Sequence, residues 1–200
     1  MISMSVTGIA RELKREVLLS RIEMDVFGAL ILIIATAAGA FVRIYLPFTP
    51  VPITLQTFFV LIGGAVLGRR LGALSLSAYI LLGAVGLPVF SGAAFGLAHL
   101  LGPTGGYLVG FIASAFAVGW MIRIKSGLLW SVLSMAVGTA VIYAFGAAWL
   151  AVSLRIGIFQ SLSMGVMPFL GGDAVKLLAA ATLFNSYEGR IREIYPSTRR

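Results

Sequence analysis

The sequence predicts an all-α, polytopic membrane protein with six transmembrane helices and both termini in the cytoplasm, and three observations predict it. First, 60% of the 200 residues are hydrophobic and only 11% are charged, with a mean hydropathy of +1.03; a soluble domain usually carries about a quarter charged residues. Second, apolar runs recur along the whole chain without the alternation of barrel strands, so helices are the means of satisfying the backbone in lipid. Third, twelve of the fifteen basic residues sit in four clusters beside the apolar runs. That distribution marks membrane topology rather than binding to nucleic acid, which is not expected as a partner.

The predicted spans are 26–46, 53–67, 73–90, 105–122, 128–152 and 173–187, within a single membrane-embedded domain, 1–200. The segment 1–22 is charged and is expected to stay cytoplasmic, as a solvated tail or as an amphipathic helix on the membrane surface through Arg11, Lys14 and Arg15. It runs into an apolar stretch too long for a signal-peptide core and is read as retained. Ser20 and Glu23 fit a capping box before the first span. LGRRLG (67–72) reads as a tight turn between the second and third. Pro103 suits the first turn of the fourth, and Asp173 suits the start of the sixth.

Orientation follows from the cations. Arg11, Lys14, Arg15 and Arg21 precede the first span, Arg69 and Arg70 follow the second, Arg123 and Lys125 the fourth, and Arg190, Arg192, Arg199 and Arg200 the sixth. The opposite side has only Arg43 and Arg155, and Lys176 lies inside a span. Positively charged loops stay inside.

Three irregular stretches then converge on the outer side. Pro47, Pro50 and Pro52 break helix before the second span, Pro168, Gly171 and Gly172 before the sixth, and 90–107 joins the third to the fourth without any Lys or Arg. Spans two and six, at about 15 residues, reach only about 22 Å. Non-helical backbone at membrane depth is tolerated where it lines a cavity, so a pocket opening outward is expected, covered by the loop around 91–102.

Asp173 and Lys176, three residues apart, share a helical face near that pocket, and an ionisable residue at membrane depth is by default a functional group. Lys176 suits an anionic group; Asp173 suits the ammonium or a ligand amide. The bland alternative is a self-neutralising pair that pins a helix end. Thr104, the amides of Gly105 and Gly106, and Tyr107 form a helix start able to meet carbonyl or carboxylate oxygens, or a cap whose glycines permit close packing. Thr54 and Gln56 can donate and accept hydrogen bonds in the pocket, although Thr54 also suits an N-cap. His99, the only histidine, is kept outside the firm site. Ala35 and Gly39 form a small-residue stripe on the first span that admits another helix from this chain or another. One His and two scattered Asp residues make no metal cluster, no cofactor is expected, and no Walker A pattern is present for nucleotide hydrolysis.

TPVPITLQTF, GLPVF followed by a glycine-containing loop, GPTGGYLVGF and GGDAVK occur in this order. With them the chain resembles the biotin-specific substrate-binding component of energy-coupling factor (ECF) transporters, the BioY family, from the first span to the sixth. The resemblance implies a multi-pass protein of the prokaryotic plasma membrane that binds biotin at high affinity near the outer face. It also implies assembly with a transmembrane coupling subunit and two ATPase subunits that drive inward release. It puts the family's acidic and basic pair on Asp173 and Lys176, the Thr-Gly-Gly-Tyr turn on Thr104 to Tyr107, the docking face on Ala35 and Gly39, and lid contacts on Ser91 or His99. A component for another water-soluble vitamin is the nearest alternative, and an intramembrane enzyme or a scaffold the more distant ones.

Overall fold

In a computed structural model, residues 6–195 are described, with side chains from residue 19 onward. Their elements run α1 (Val6–Phe41), β1 (Arg43–Ile44), β2 (Ile53–Thr54), α2 (Gln56–Ala84), α3 (Leu97–Leu101), α4 (Gly105–Met121), α5 (Leu128–Leu154), α6 (Ile158–Gly165), a 3-10 turn Met167–Phe169, and α7 (Leu170–Ile194). The side chains of Arg11, Lys14 and Arg15, and the tail that carries Arg199 and Arg200, lie outside the described residues.

Helix α2 is not one rod. Gly68 leaves helical geometry at φ 78° and ψ 175°, a region that disfavours residues with a Cβ, and the chain doubles back there. Gln56 Nε2 donates to the Tyr79 hydroxyl at 2.7 Å, whereas 23 residues of straight helix would hold those positions about 34 Å apart. A Cβ on Gly72 would lie 3.2 Å from the Gly64 Cα, so the two arms, 56–67 and 69–84, touch along their glycines. The tight turn expected at LGRRLG is present.

Four helical stretches are long and apolar enough to cross a membrane, Leu19–Phe41, Gln56–Ala84, Leu128–Leu154 and Ile158–Ile194, and Gly105–Met121 is a shorter apolar helix. Helix α2 packs most extensively on α4, α4 on α5, and α1 on α2, while α7 closes against α2 and α5. Close approach comes from small residues: a Cβ on Gly64 would lie 2.7 Å from the Ala115 carbonyl oxygen of α4, which is the packing expected where lipid supplies no hydrophobic drive between helices. The core divides in two. One cluster gathers Leu61, Val118, Ile122, Met135, Ala181 and Phe184; the other gathers Val51, Tyr79, Phe90, Tyr107, Phe111 and Phe169.

Several boundaries differ from expectation. Ser20 lies inside α1 rather than at its start, and α1 ends at Phe41, where the chain turns into the β1–β2 hairpin (Arg43 opposite Thr54, Ile44 opposite Ile53). Thr54 is in β2, and the residue at the N-cap of α2 is Leu55, without a side-chain cap. Pro103 precedes the N-cap Thr104 rather than sitting in the first turn of α4. The last helix is longer than expected: α7 has 25 residues and includes Gly171 and Gly172, because its start is set by the 3-10 turn at Pro168 and not by the glycine pair. The loop over 91–102 contains α3, and α6 was not foreseen at all.

Candidate functional site

A cavity opens among the irregular stretches at one end of the bundle. It contains about 570 Å³ of space between atoms, counted together with its open mouth. Its wall draws on the hairpin (Val51, Pro52, Ile53, Thr54), the first arm of α2 (Gln56, Thr57), the lid (Ser91, His99), α4 and its cap (Thr104, Tyr107, Leu108, Phe111), α5 (Ile142, Tyr143) and α7 with its 3-10 turn (Phe169, Asp173, Lys176). The floor is apolar, from Leu108, Phe111, Ile142 and Phe169, and the polar groups converge from separate elements.

The charged pair is built by α7. Asp173 and Lys176 are one turn apart and form an ion pair. The carboxylate is buried and accepts from Tyr143 through Oδ2 at 2.6 Å and from Thr57 through Oδ1 at 3.2 Å. The ammonium donates to the Thr54 carbonyl at 2.7 Å and to the Thr57 hydroxyl at 2.8 Å. Charges removed from water need this degree of pairing to be tolerated. Here four helical or strand elements supply it at a single point on the cavity wall.

A second polar line crosses the lid side. Thr54 Oγ1 donates to Gln56 Oε1 at 3.3 Å, Gln56 Nε2 to Tyr79, and the Tyr79 hydroxyl to the Val89 carbonyl at 2.8 Å, which ties β2 and α2 to the base of the lid. His99 Nε2 lies 3.2 Å from Thr104 Oγ1, and its ring stacks on Phe90 with centroids 5.2 Å apart. Burial lowers the His99 pKa from its ordinary 6.5, so the ring is neutral at neutral pH. The Ser91 hydroxyl is buried without a hydrogen-bond partner, and Ser91 lines the cavity.

Of the residues expected from sequence, Asp173, Lys176, Thr104, Tyr107, Gln56 and Ser91 all reach this cavity. Gly105 and Gly106 are not among the lining residues; a Cβ on either would collide with Trp149, or with the Leu100 and Phe145 carbonyls, so their smallness lets α4 press against α5 and the lid. Gly39 is not among the lining residues either. It is buried, and a Cβ there would meet Phe59 at 2.9 Å and the Gln56 nitrogen at 3.1 Å, so its smallness serves packing of α1 on α2 within the chain; Ala35 stays half-buried. Sequence reasoning missed Thr57, Tyr143 and Phe169 and left His99 aside. Thr57 alone had a local signal, one residue past Gln56 in TLQTF.

Comparison with known proteins places this architecture. The BioY family model matches residues 14–193. This chain belongs to the BioY family. Curated relatives agree over most of its length. It is 41% identical over 162 residues to "Biotin transporter BioY" of Thermotoga maritima, covering 81% of this chain and 91% of that one. It is 42% identical over 154 residues to "Probable biotin transporter BioY" of Pyrococcus horikoshii, covering 77% and 90%. A crystal structure of the S-component for biotin from an ECF-type ABC transporter superposes with a TM-score of 0.74 at 25% identity, over 94% of this chain and 95% of that one. BioY-family membership accounts for the order in which the four sequence motifs occur, while the cavity geometry shows how they meet in space.

Proposed function

We propose that this chain is the biotin-binding membrane subunit of a vitamin uptake transporter. In this reading it takes biotin at the outer face of a prokaryotic plasma membrane and delivers it inward when coupled to a transmembrane subunit and ATPase subunits. The observation that carries the reading is the buried Asp173–Lys176 couple, held by Thr57, Tyr143 and the Thr54 carbonyl on the wall of a largely apolar cavity. Biotin has a matching layout: an apolar ring and tail, a carboxylate at one end, and a ureido group with two donors and one acceptor. Lys176 serves the carboxylate and Asp173 the ligand's N–H groups, with Gln56, Ser91, Thr104 and Tyr107 along the remaining wall. Family membership and the similarity to proteins named as biotin transporters support the substrate.

The topology belongs to the same reading. The two arms of α2 count as separate spans, which with α1, α4, α5 and α7 makes six, and the pocket end, poor in cations, faces outward. Both termini are then cytoplasmic. In this reading energy for uphill transport comes from the partner ATPases, and Ala35 and Gly39 on α1 are the docking positions for the coupling subunit. Binding of labelled biotin to the purified chain, with other vitamins as competitors, tests the proposal. Saturable binding displaced by unlabelled biotin supports it; displacement by thiamine or riboflavin but not by biotin moves the chain to another vitamin, and conversion of the ligand to a new product makes it an enzyme.

A further inference from the structure

The mouth of the cavity has two rims, and a single exposed side chain spans them. One rim is the hairpin, in which β1 pairs Arg43 with Thr54, the residue whose carbonyl accepts from Lys176. The other is the turn 90–94, closed at its base by the Phe90 N–H donating to the Ala94 carbonyl at 3.1 Å. At the tip of that turn Gly92 and Ala93 both take positive φ, 85° and 56°, a conformation that Ala adopts only when its surroundings impose it. The Arg43 guanidinium stacks 5.0 Å above the Tyr45 ring and fills the space that a Cβ on Gly92 would need, while the Tyr45 hydroxyl lies 3.2 Å from that same point. One residue back from Gly92 is Ser91, whose buried hydroxyl has no partner although it lies on the cavity wall.

We infer that Arg43 is a positioning residue for ligand binding: from the hairpin rim it seats the tip of turn 90–94 so that the Ser91 hydroxyl meets a polar group of the bound molecule. Ser91 supplies the hydrogen bond, and Arg43 sets where that hydroxyl points without touching the ligand. A side chain at position 92 would displace the guanidinium and strain a backbone at φ 85°, and the Arg43 guanidinium lies over the Tyr45 ring. The identity of the ligand's polar group, a carboxylate oxygen or the ureido carbonyl, rests on the biotin reading; the coupling of Arg43 to Ser91 does not.

Association and dissociation rates of fluorescent biotin on the full chain in lipid nanodiscs test this. Arg43→Ala should raise the dissociation rate about tenfold and change the association rate little, since a lost contact in the bound state acts on release. Ser91→Ala should do the same. The double variant should be no worse than either single one, the mark of two residues acting through one contact. Gly92→Ala, which displaces the guanidinium without removing it, should reproduce the Arg43→Ala phenotype and serves in its place if that variant does not fold. An unchanged dissociation rate in Arg43→Ala, or additive losses in the double variant, overturns the inference. So does a slower association whose gap to the wild type closes at high salt, which would make Arg43 a surface charge that attracts anions. If the wild-type chain prefers another vitamin, the same cycle run with that vitamin still decides the role of Arg43, so the two proposals fail separately.

Discussion

Lys176 has three ammonium protons, and three acceptors surround it: the Asp173 carboxylate, the Thr54 carbonyl and the Thr57 hydroxyl. In the proposed function an incoming carboxylate would meet a cation already oriented, whose charge is shared with a partner. Replacing Lys176 or Asp173 by Ala leaves the other charge buried and unpaired, and biotin affinity should fall tenfold or more, about 1.4 kcal/mol, in a calorimetric titration. Tyr143 donates to the second oxygen of Asp173, so Tyr143→Phe, which removes only the hydroxyl, should cost about 1.5–3 kcal/mol of binding if the charged hydrogen bond is used in the complex. His99 gives a pH dependence of defined sign. Its docked ring resists protonation because it is buried, whereas an undocked ring takes a proton near pH 6.5. The stabilisation from docking is complete above that pH and declines as pH falls below it. Thr104 and Phe90 touch the ring, with Asp173 and Lys176 as the charged groups on the same cavity wall. Biotin affinity should therefore weaken between pH 7.5 and 5.5 in the wild type, and stay flat in His99→Gln. Asp173 and Lys176 were legible in the sequence because charges within an apolar run are rare enough to stand out. Tyr143 was not, since a tyrosine in an apolar helix looks the same whether it faces lipid or a carboxylate 30 residues away.

At the scale of elements, the doubling back of α2 links the cavity wall to the base of the lid. The first arm carries Gln56 and Thr57, and the second returns Tyr79 to meet Gln56 and to anchor the lid at Val89. This depends on glycines that let backbones touch. Gly64→Val would drive a branched side chain into the Ala115 backbone of α4, and thermal unfolding in detergent should show a loss of about 1–3 kcal/mol, typical of overpacking, with the fold recovered by small residues only. The helical stretches within predicted spans two to five were readable to within a few residues because hydropathy and Gly, Pro and Arg punctuation coincide there, apart from the non-helical stretches 53–55 and 85–90. The start of α7 was misread because Gly171 and Gly172 resemble a break by local propensity, yet exposed glycines continue a helix when Asp173 and Lys176 are fixed from outside it. Helix α6 was missed since eight residues of ordinary composition carry too little periodic signal, and it is held by long-range bonds such as Ser161 to the Ala147 carbonyl at 2.6 Å.

For the whole molecule, the proposed orientation ties the uneven distribution of cations to the placement of the cavity at the cation-poor end. The natural sequence has no cysteine, so single introduced cysteines report sidedness directly. In intact cells, Gly157→Cys at the pocket end should react with a membrane-impermeant maleimide, while Lys125→Cys at the opposite end should react only after permeabilisation; the reverse pattern would invert the topology. Composition, the placement of basic residues and the length of apolar runs are sums over many side chains, which is why the sequence by itself determined a largely helical chain with apolar helices long enough to cross a membrane. Which hydroxyls surround the charged pair, whether a glycine faces a ligand or a neighbouring helix, and how Arg43 meets Gly92 were decided only by tertiary structure. Those contacts join residues up to 122 positions apart, and chain geometry at that separation is set by packing rather than by any local preference.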